Sequence, residues 1–117
     1  MDFVQQNSLI LEQKWRDLAA WVYESVLRGM PKSEKFTLGA DIRSAVWQVE
    51  SAAVQIALRS GPRRQLLNLI DVQSKVMLSM IELGISLGSI PEKRRKVAAD
   101  KISEIGRIVG GLLKVRQ

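Results

Sequence analysis

Residues 37–62 read TLGADIRSAVWQVESAAVQIALRSGP. Within them Leu38, Ile42, Ala45, Val49, Ala52 and Ile56 follow one another in alternating steps of four and three without a slip. That spacing keeps one face of an α-helix turned inward, whereas a half-buried strand would alternate in steps of two. The stretch is therefore read as a helix over 37–59. Ala45, Ala52 and Ala53 are small, so a neighbouring helix can come close there. Ser60-Gly61-Pro62 is the stop: Gly61 suits a helix C-terminus and Pro62 the first turn of the next helix.

The same apolar rhythm appears three more times. Upstream, Leu11, Trp15, Leu18, Val22 and Val26 predict a helix over 8–28, capped by Asn7 or Ser8 and ended by Gly29 and Pro31. Ser33 or Thr37 is available to cap the helix after that break. Downstream, Leu66, Leu69, Gln73, Val76, Met80, Leu83 and Leu87 predict the core stripe of a helix over 62–87, with Gln73 as its one polar member. Ala98, Ile102, Ile105, Val109 and Leu112 predict the stripe of a helix over 90–113. Between the last two, Ser89 and Glu92 have the spacing of a capping box, with Pro91 inside the first turn. Gly106, Gly110 and Gly111 weaken the last helix by about 1 kcal/mol each relative to Ala and allow close backbone approach. Four helices joined by short links must pack antiparallel to their neighbours. The expected fold is all-α: one domain, residues 1–117, forming an up-down-up-down four-helix bundle.

Length and composition agree with this. A chain of 117 residues, 46% hydrophobic, can bury a core without staples. There is no Cys and no His, which removes disulfides, thiol nucleophiles, imidazole bases and the usual zinc or haem ligands. The start, MDFVQQNS, lacks a basic segment followed by an apolar run, and no apolar stretch reaches the ~20 residues of a membrane span. The expectation is a soluble, cytoplasmic protein with no membrane association.

No pattern of catalytic residues emerges. The acids Asp41, Glu50, Asp71, Glu82, Asp100 and Glu104 are scattered, and Gly-rich phosphate loops and nucleophile elbows are missing. Asp100 and Glu104, one turn apart, fit a surface salt-bridge face better than a metal site. The expectation is no enzyme, no metal and no cofactor.

Two surpluses remain. The first is apolar. Trp47, Val54 and Leu58 lie on the second helix away from its stripe, and Leu67, Ile70, Met77 and Ile81 lie beside the stripe of the third. These seven are the expected oligomer or partner interface, against the simpler reading of a broadened core. Trp21 sits among the polar residues Lys14, Asp17, Glu24 and Arg28.

The second surplus is cationic. Formal charge is +6, all of it from residues 61–117; residues 1–60 balance seven cations with seven acids. Lys93, Arg94, Arg95 and Lys96 open the fourth helix, where cations oppose the helix dipole. Arg63 and Arg64 open the third, and antiparallel packing puts the two clusters at opposite ends. Arg107, Lys114 and Arg116 continue the charge along the fourth helix. Such residues would contact phosphates in a sequence-independent, salt-sensitive way. RNA or DNA is the expected ligand of Arg63, Arg64, Lys93, Arg94, Arg95, Lys96, Arg107 and Lys114.

The link Met30-Pro31-Lys32-Ser33-Glu34-Lys35-Phe36-Thr37-Leu38-Gly39 is similar to the PKSERF-x-LG link of accessory variability determinant (Avd) proteins. The ending Glu104-Ile105-Gly106-Arg107-Ile108-Val109-Gly110-Gly111-Leu112-Leu113-Lys114 resembles that family's fourth helix. The resemblance implies an accessory protein of a diversity-generating retroelement. It would be a homopentamer of four-helix bundles that binds the reverse transcriptase and nucleic acid, template RNA or cDNA, and supports mutagenic retrohoming. The bundle proteins of ribosomal RNA intervening sequences resemble it too. They usually carry an Asn-Ile-Ala-Glu-Gly-like segment where this chain has Val54-Gln55-Ile56-Ala57-Leu58, so Avd is the nearer likeness. The alternative is a four-helix-bundle protein-interaction scaffold, or a protein of the ribosomal RNA intervening-sequence type without a reverse transcriptase partner.

Overall fold

The computed structural model describes residues 1–115. Four long helices carry the fold: α1 (Phe3–Trp21), α3 (Leu38–Ala57), α4 (Arg63–Ser86) and α5 (Arg94–Leu113). One short turn of helix, α2 (Lys32–Lys35), lies in the first link. The long helices pack α1 on α3, α3 on α4, α4 on α5 and α5 back on α1. This closes an elongated four-helix bundle of 45 × 23 × 19 Å, with α3 and α5 at diagonal corners.

The first helix begins at Phe3, five residues ahead of the expected start. Asp2 is the cap, its Oδ1 accepting from Gln5 N–H at 2.7 Å. Ser8 lies inside the helix and donates back to the Val4 carbonyl at 2.6 Å. At the other end the helix widens into a π-turn over Val22–Leu27, where Arg28 N–H reaches the carbonyl five residues back, that of Tyr23, at 3.1 Å. The wider turn lets the successive residues Val26 and Leu27 both face inward. Trp21, expected on the polar side, is half-buried and packs against the core.

On α3 the expected stripe is buried throughout, and Val46 and Ala53 join it because α3 serves two neighbours. Trp15 is fully buried and donates its indole N–H to the Val46 carbonyl at 3.0 Å, pinning α1 to α3.

On α4 the stripes are exchanged. The buried residues are Leu67, Ile70, Ser74, Met77, Ile81 and Gly84. The expected core stripe, one residue earlier at every step, lies outside: Leu69, Val76, Leu83 and Leu87 are exposed, and Leu66, Gln73 and Met80 half-buried. Leu67, Ile70, Met77 and Ile81 are thus core residues of a single chain, which corrects their expected place in an interface. Polar chemistry explains the choice. Ser74 satisfies itself by donating to the Asp71 carbonyl at 3.0 Å, whereas burying the Gln73 amide would need several partners. Gly84 also makes room for buried Ile90.

All three links differ from expectation in their caps. Ahead of α3 neither Ser33 nor Thr37 caps the helix with its side chain; Thr37 Oγ1 donates back to the Glu34 carbonyl at 3.3 Å. After α3 the left-handed residue is Arg59, at φ +56°, while Ser60 N–H bonds the Gln55 carbonyl at 2.8 Å and Arg59 N–H that of Ile56 at 3.1 Å. Gly61, at φ +84°, takes a second left-handed position two residues on. After α4, Gly88 at φ +77° is the cap, and Ser89 N–H closes onto the Gly84 carbonyl at 2.8 Å. The Ser89–Glu92 capping box does not form. Pro91, Glu92 and Lys93 make a tight turn ahead of Arg94, and the Glu92 carboxylate faces Arg95 instead. An added Cβ at Gly106, Gly110 or Gly111 would meet nothing within 4 Å, so no neighbouring helix uses the approach they allow.

Candidate nucleic-acid and partner interfaces

The cationic run at the start of α5 divides by geometry. Arg95 is a clamp. Its Nε donates to Glu92 Oε1 at 2.9 Å, and a terminal nitrogen to Glu92 Oε2 at 3.1 Å. The other terminal nitrogen reaches Glu82 of α4 at 3.2 Å. The Arg95 hydrogen bond holds the Glu92 carboxyl below the usual carboxylate range. Arg94 is half-buried, with its Nε shielded from solvent. Lys93 and Lys96 are exposed, and Lys96 pairs with Asp100 at 3.0 Å. Two of the four cations thus face solvent, Arg95 ties the start of α5 to α4, and Arg94 is half-buried.

The opposite end gathers a second basic group. Arg63, Arg64, Leu67, Leu112, Leu113, Lys114 and Val115 line a shallow cavity there, and Arg64 donates to the Leu113 carbonyl at 3.4 Å. A neighbouring hollow is lined by Asp2, Gln5, Arg59 and Arg63, with Arg59 donating to Gln5 Oε1 at 3.0 Å. Arg107 stands midway along α5, exposed, donating to Ser103 Oγ at 3.2 Å. Arg116 lies outside the described residues.

The apolar surplus has a definite place. Trp47 is 61% and Leu58 72% exposed, and Val54 is exposed beside them on the outer face of α3. The Trp47 indole N–H donates to Tyr23 Oη at 3.0 Å, which holds the ring against the π-turn. Across a groove floored by Ser51, Ala52 and Gln55, this face continues into Leu66 and Leu69, the start of the outer α4 stripe. That stripe, expected in the core and found on the surface, runs on through Val76, Leu83 and Leu87. Its alternating spacing of three and four is that of a helix seam. In the sequence, only the single polar residue Gln73 hints that it faces outward.

The acids pair in ways the sequence hid. Glu12 of α1 and Glu50 of α3 face each other, with Arg16 bonded to Glu12 at 2.8 Å. Burial first, then the Glu12 carboxyl, pushes Glu50 up to about 7, and Arg16 opposes the rise. Asp100 and Glu104 do not converge on a common ligand: one holds Lys96, the other Lys14 of α1 at 2.8 Å. Among the described residues no group of three or more acids is placed to hold a metal ion.

Fold and surface together define a basic four-helix bundle whose exposed chemistry is charge and apolar area. No helix among the described residues is long and apolar enough to cross a membrane. The family model described as bAvd-like matches residues 9–116, nearly the whole chain, and the chain belongs to that family, accessory proteins of the diversity-generating retroelement kind. Neither a curated protein nor a solved structure matches it.

Proposed function

We propose that this protein is a non-catalytic, cytoplasmic subunit that binds both the reverse transcriptase of its retroelement and nucleic acid, template RNA or cDNA. The observation carrying this reading is the separation of two surfaces on one small bundle. An uncovered apolar face spans α3 and α4, and exposed cations stand along α5, at the corner diagonal to α3. Apolar area of that kind suits protein contacts, with Trp47 as an anchor. Cations suit phosphate. Copies of the chain joining through the α3–α4 face, a pentamer by family likeness, would repeat the basic surface around a ring.

The test is reconstitution. Purified protein is mixed with the reverse transcriptase and labelled RNA, and complexes are followed by co-purification and by anisotropy at rising salt. Expected is a complex with the enzyme, and RNA binding whose affinity falls steeply with salt. A protein that captures the enzyme yet ignores RNA and DNA at low salt is a scaffold, and the nucleic-acid half of the proposal fails. One that captures neither ends it.

A further inference from the structure

Seven residues advance an α-helix by nearly two full turns, so Asp100 and Arg107 share one face of α5, and Lys93 and Lys114, which flank its two ends with helical backbone (φ −61° and −75°), continue that row. All four are exposed, and the row lies opposite the buried stripe Ala98, Ile102, Ile105, Val109 and Leu112. It points straight away from the core and spans about 30 Å at 1.5 Å per residue. Asp100 is paired with Lys96 at 3.0 Å, so the row presents three cations that form no ion pair among the described residues, on a stiff rod.

We infer that this row grips the backbone of a nucleic-acid duplex rather than a single strand; the inference rests on the nucleic-acid reading above. Three features choose the duplex. A duplex is stiff on this scale, with a persistence length of roughly 500 Å, so a straight row meets it without ordering either partner. The row's length is close to one ~34 Å turn of duplex, over which both strands bring phosphates to one side. Single strands are held by bases stacked on aromatic side chains, and α5 has none. The exposed aromatics Phe3, Tyr23, Phe36 and Trp47 all lie on other elements. The apolar α3–α4 face is on the far flank, so a partner covering it leaves the row open.

The experiment measures anisotropy over a salt series with the intact protein. The probes are DNA, RNA and hybrid duplexes of about 20 base pairs, two helical turns, and unstructured strands of equal length. Expected is at least fivefold tighter binding of a duplex than of the strand. The triple variant Lys93→Gln, Arg107→Gln, Lys114→Gln should weaken duplex binding more than tenfold and flatten the salt slope by about 3. A control with equal charge loss elsewhere (Arg28→Gln, Lys32→Gln, Lys35→Gln) should cost less than threefold. Five of the six substitutions fall on exposed side chains and the sixth, Lys35, is half-buried; circular dichroism checks that the bundle is kept. Equal or tighter binding of single strands overturns the inference, as does equal loss in the two variants; both leave nucleic-acid binding itself standing. Binding of no probe removes both.

Discussion

The Cα of Gly84 faces the side chain of Ile90 so closely that a Cβ added there would run into Ile90 Cδ1 and lie 2.9 Å from Cγ1. Leu38 Cδ2, from the start of α3, would stand 3.2 Å away. Three elements therefore close on a missing methyl. Gly84→Ala gains at most about 1 kcal/mol of helix propensity. It forces buried Ile90 out of place, and overpacking costs about 1–3 kcal/mol. Urea denaturation should show net destabilisation of the Gly84→Ala variant. Gly106→Ala, where the same Cβ meets open space, should instead stabilise by up to about 1 kcal/mol. If both variants shift the midpoint the same way, packing at Gly84 is not what selects glycine there.

Arg59 holds a left-handed backbone, φ +56°, at the end of α3. For a residue with a Cβ this costs roughly 1–2 kcal/mol. Its side chain returns little: the contacts to Gln5 and Asp2 are exposed, and exposed ion pairs contribute about 0–1 kcal/mol. Arg59→Gly should therefore raise stability, by about 0.5–1 kcal/mol. Gly61→Ala, at φ +84° and with a Cβ 3.2 Å from Gln55 Oε1, should lower it by about 1 kcal/mol or more. Thermal melts of the two variants, moving in opposite directions, check the pair of assignments.

Glu50 gives the bundle a pH dependence in an unusual direction. Its carboxyl stays protonated in the folded chain up to about 7, against an ordinary 4.5, because it is half-buried and faces Glu12. The folded state binds the proton more tightly than the unfolded one. This group's favourable contribution is therefore complete below about 4.5 and is lost as pH rises through 7. Arg16, bonded to Glu12, limits the loss, and solvent screening reduces it further. Glu50→Gln should match the parent near pH 4.5 and exceed it by about 1 kcal/mol at pH 8. Denaturation curves at the two pH values test this; a constant gap between variant and parent would refute it.

The four-helix architecture was legible because Leu38 to Ile56 keeps its period without a slip, and because Gly and Pro punctuate each link. What period alone could not choose was between two parallel rows on α4. Leu66-Leu69-Gln73-Val76 and Leu67-Ile70-Ser74-Met77 have identical spacing. The deciding facts are three-dimensional: a serine that satisfies itself within its own helix, and a glycine opposite an isoleucine from the next link. The basic ends were legible as charge. That Arg95 is consumed by Glu82 and Glu92 was not, because Glu82 lies on the neighbouring helix. Glu12 and Glu50 come together for the same reason, across the packing of α1 on α3. The Arg59 cap is hidden in the sequence because Gly61, two residues later, carries the expected signature.

Val76 and Met77 are adjacent in sequence and separate the two rows. Met77 is fully buried, while Val76 is 38% exposed. Met77→Glu places a charge in the core with no partner in view and should destabilise by more than about 4 kcal/mol, enough to unfold a marginal domain. Val76→Glu should leave the bundle folded, within about 1 kcal/mol of the parent. If copies of the chain join through the outer row, Val76→Glu together with Leu83→Glu should convert the assembly to monomers in light scattering while helical circular dichroism is unchanged. A folded, undiminished assembly in that double variant would move the joining surface away from α4, leaving the Trp47 and Leu58 face of α3 as the next place to substitute.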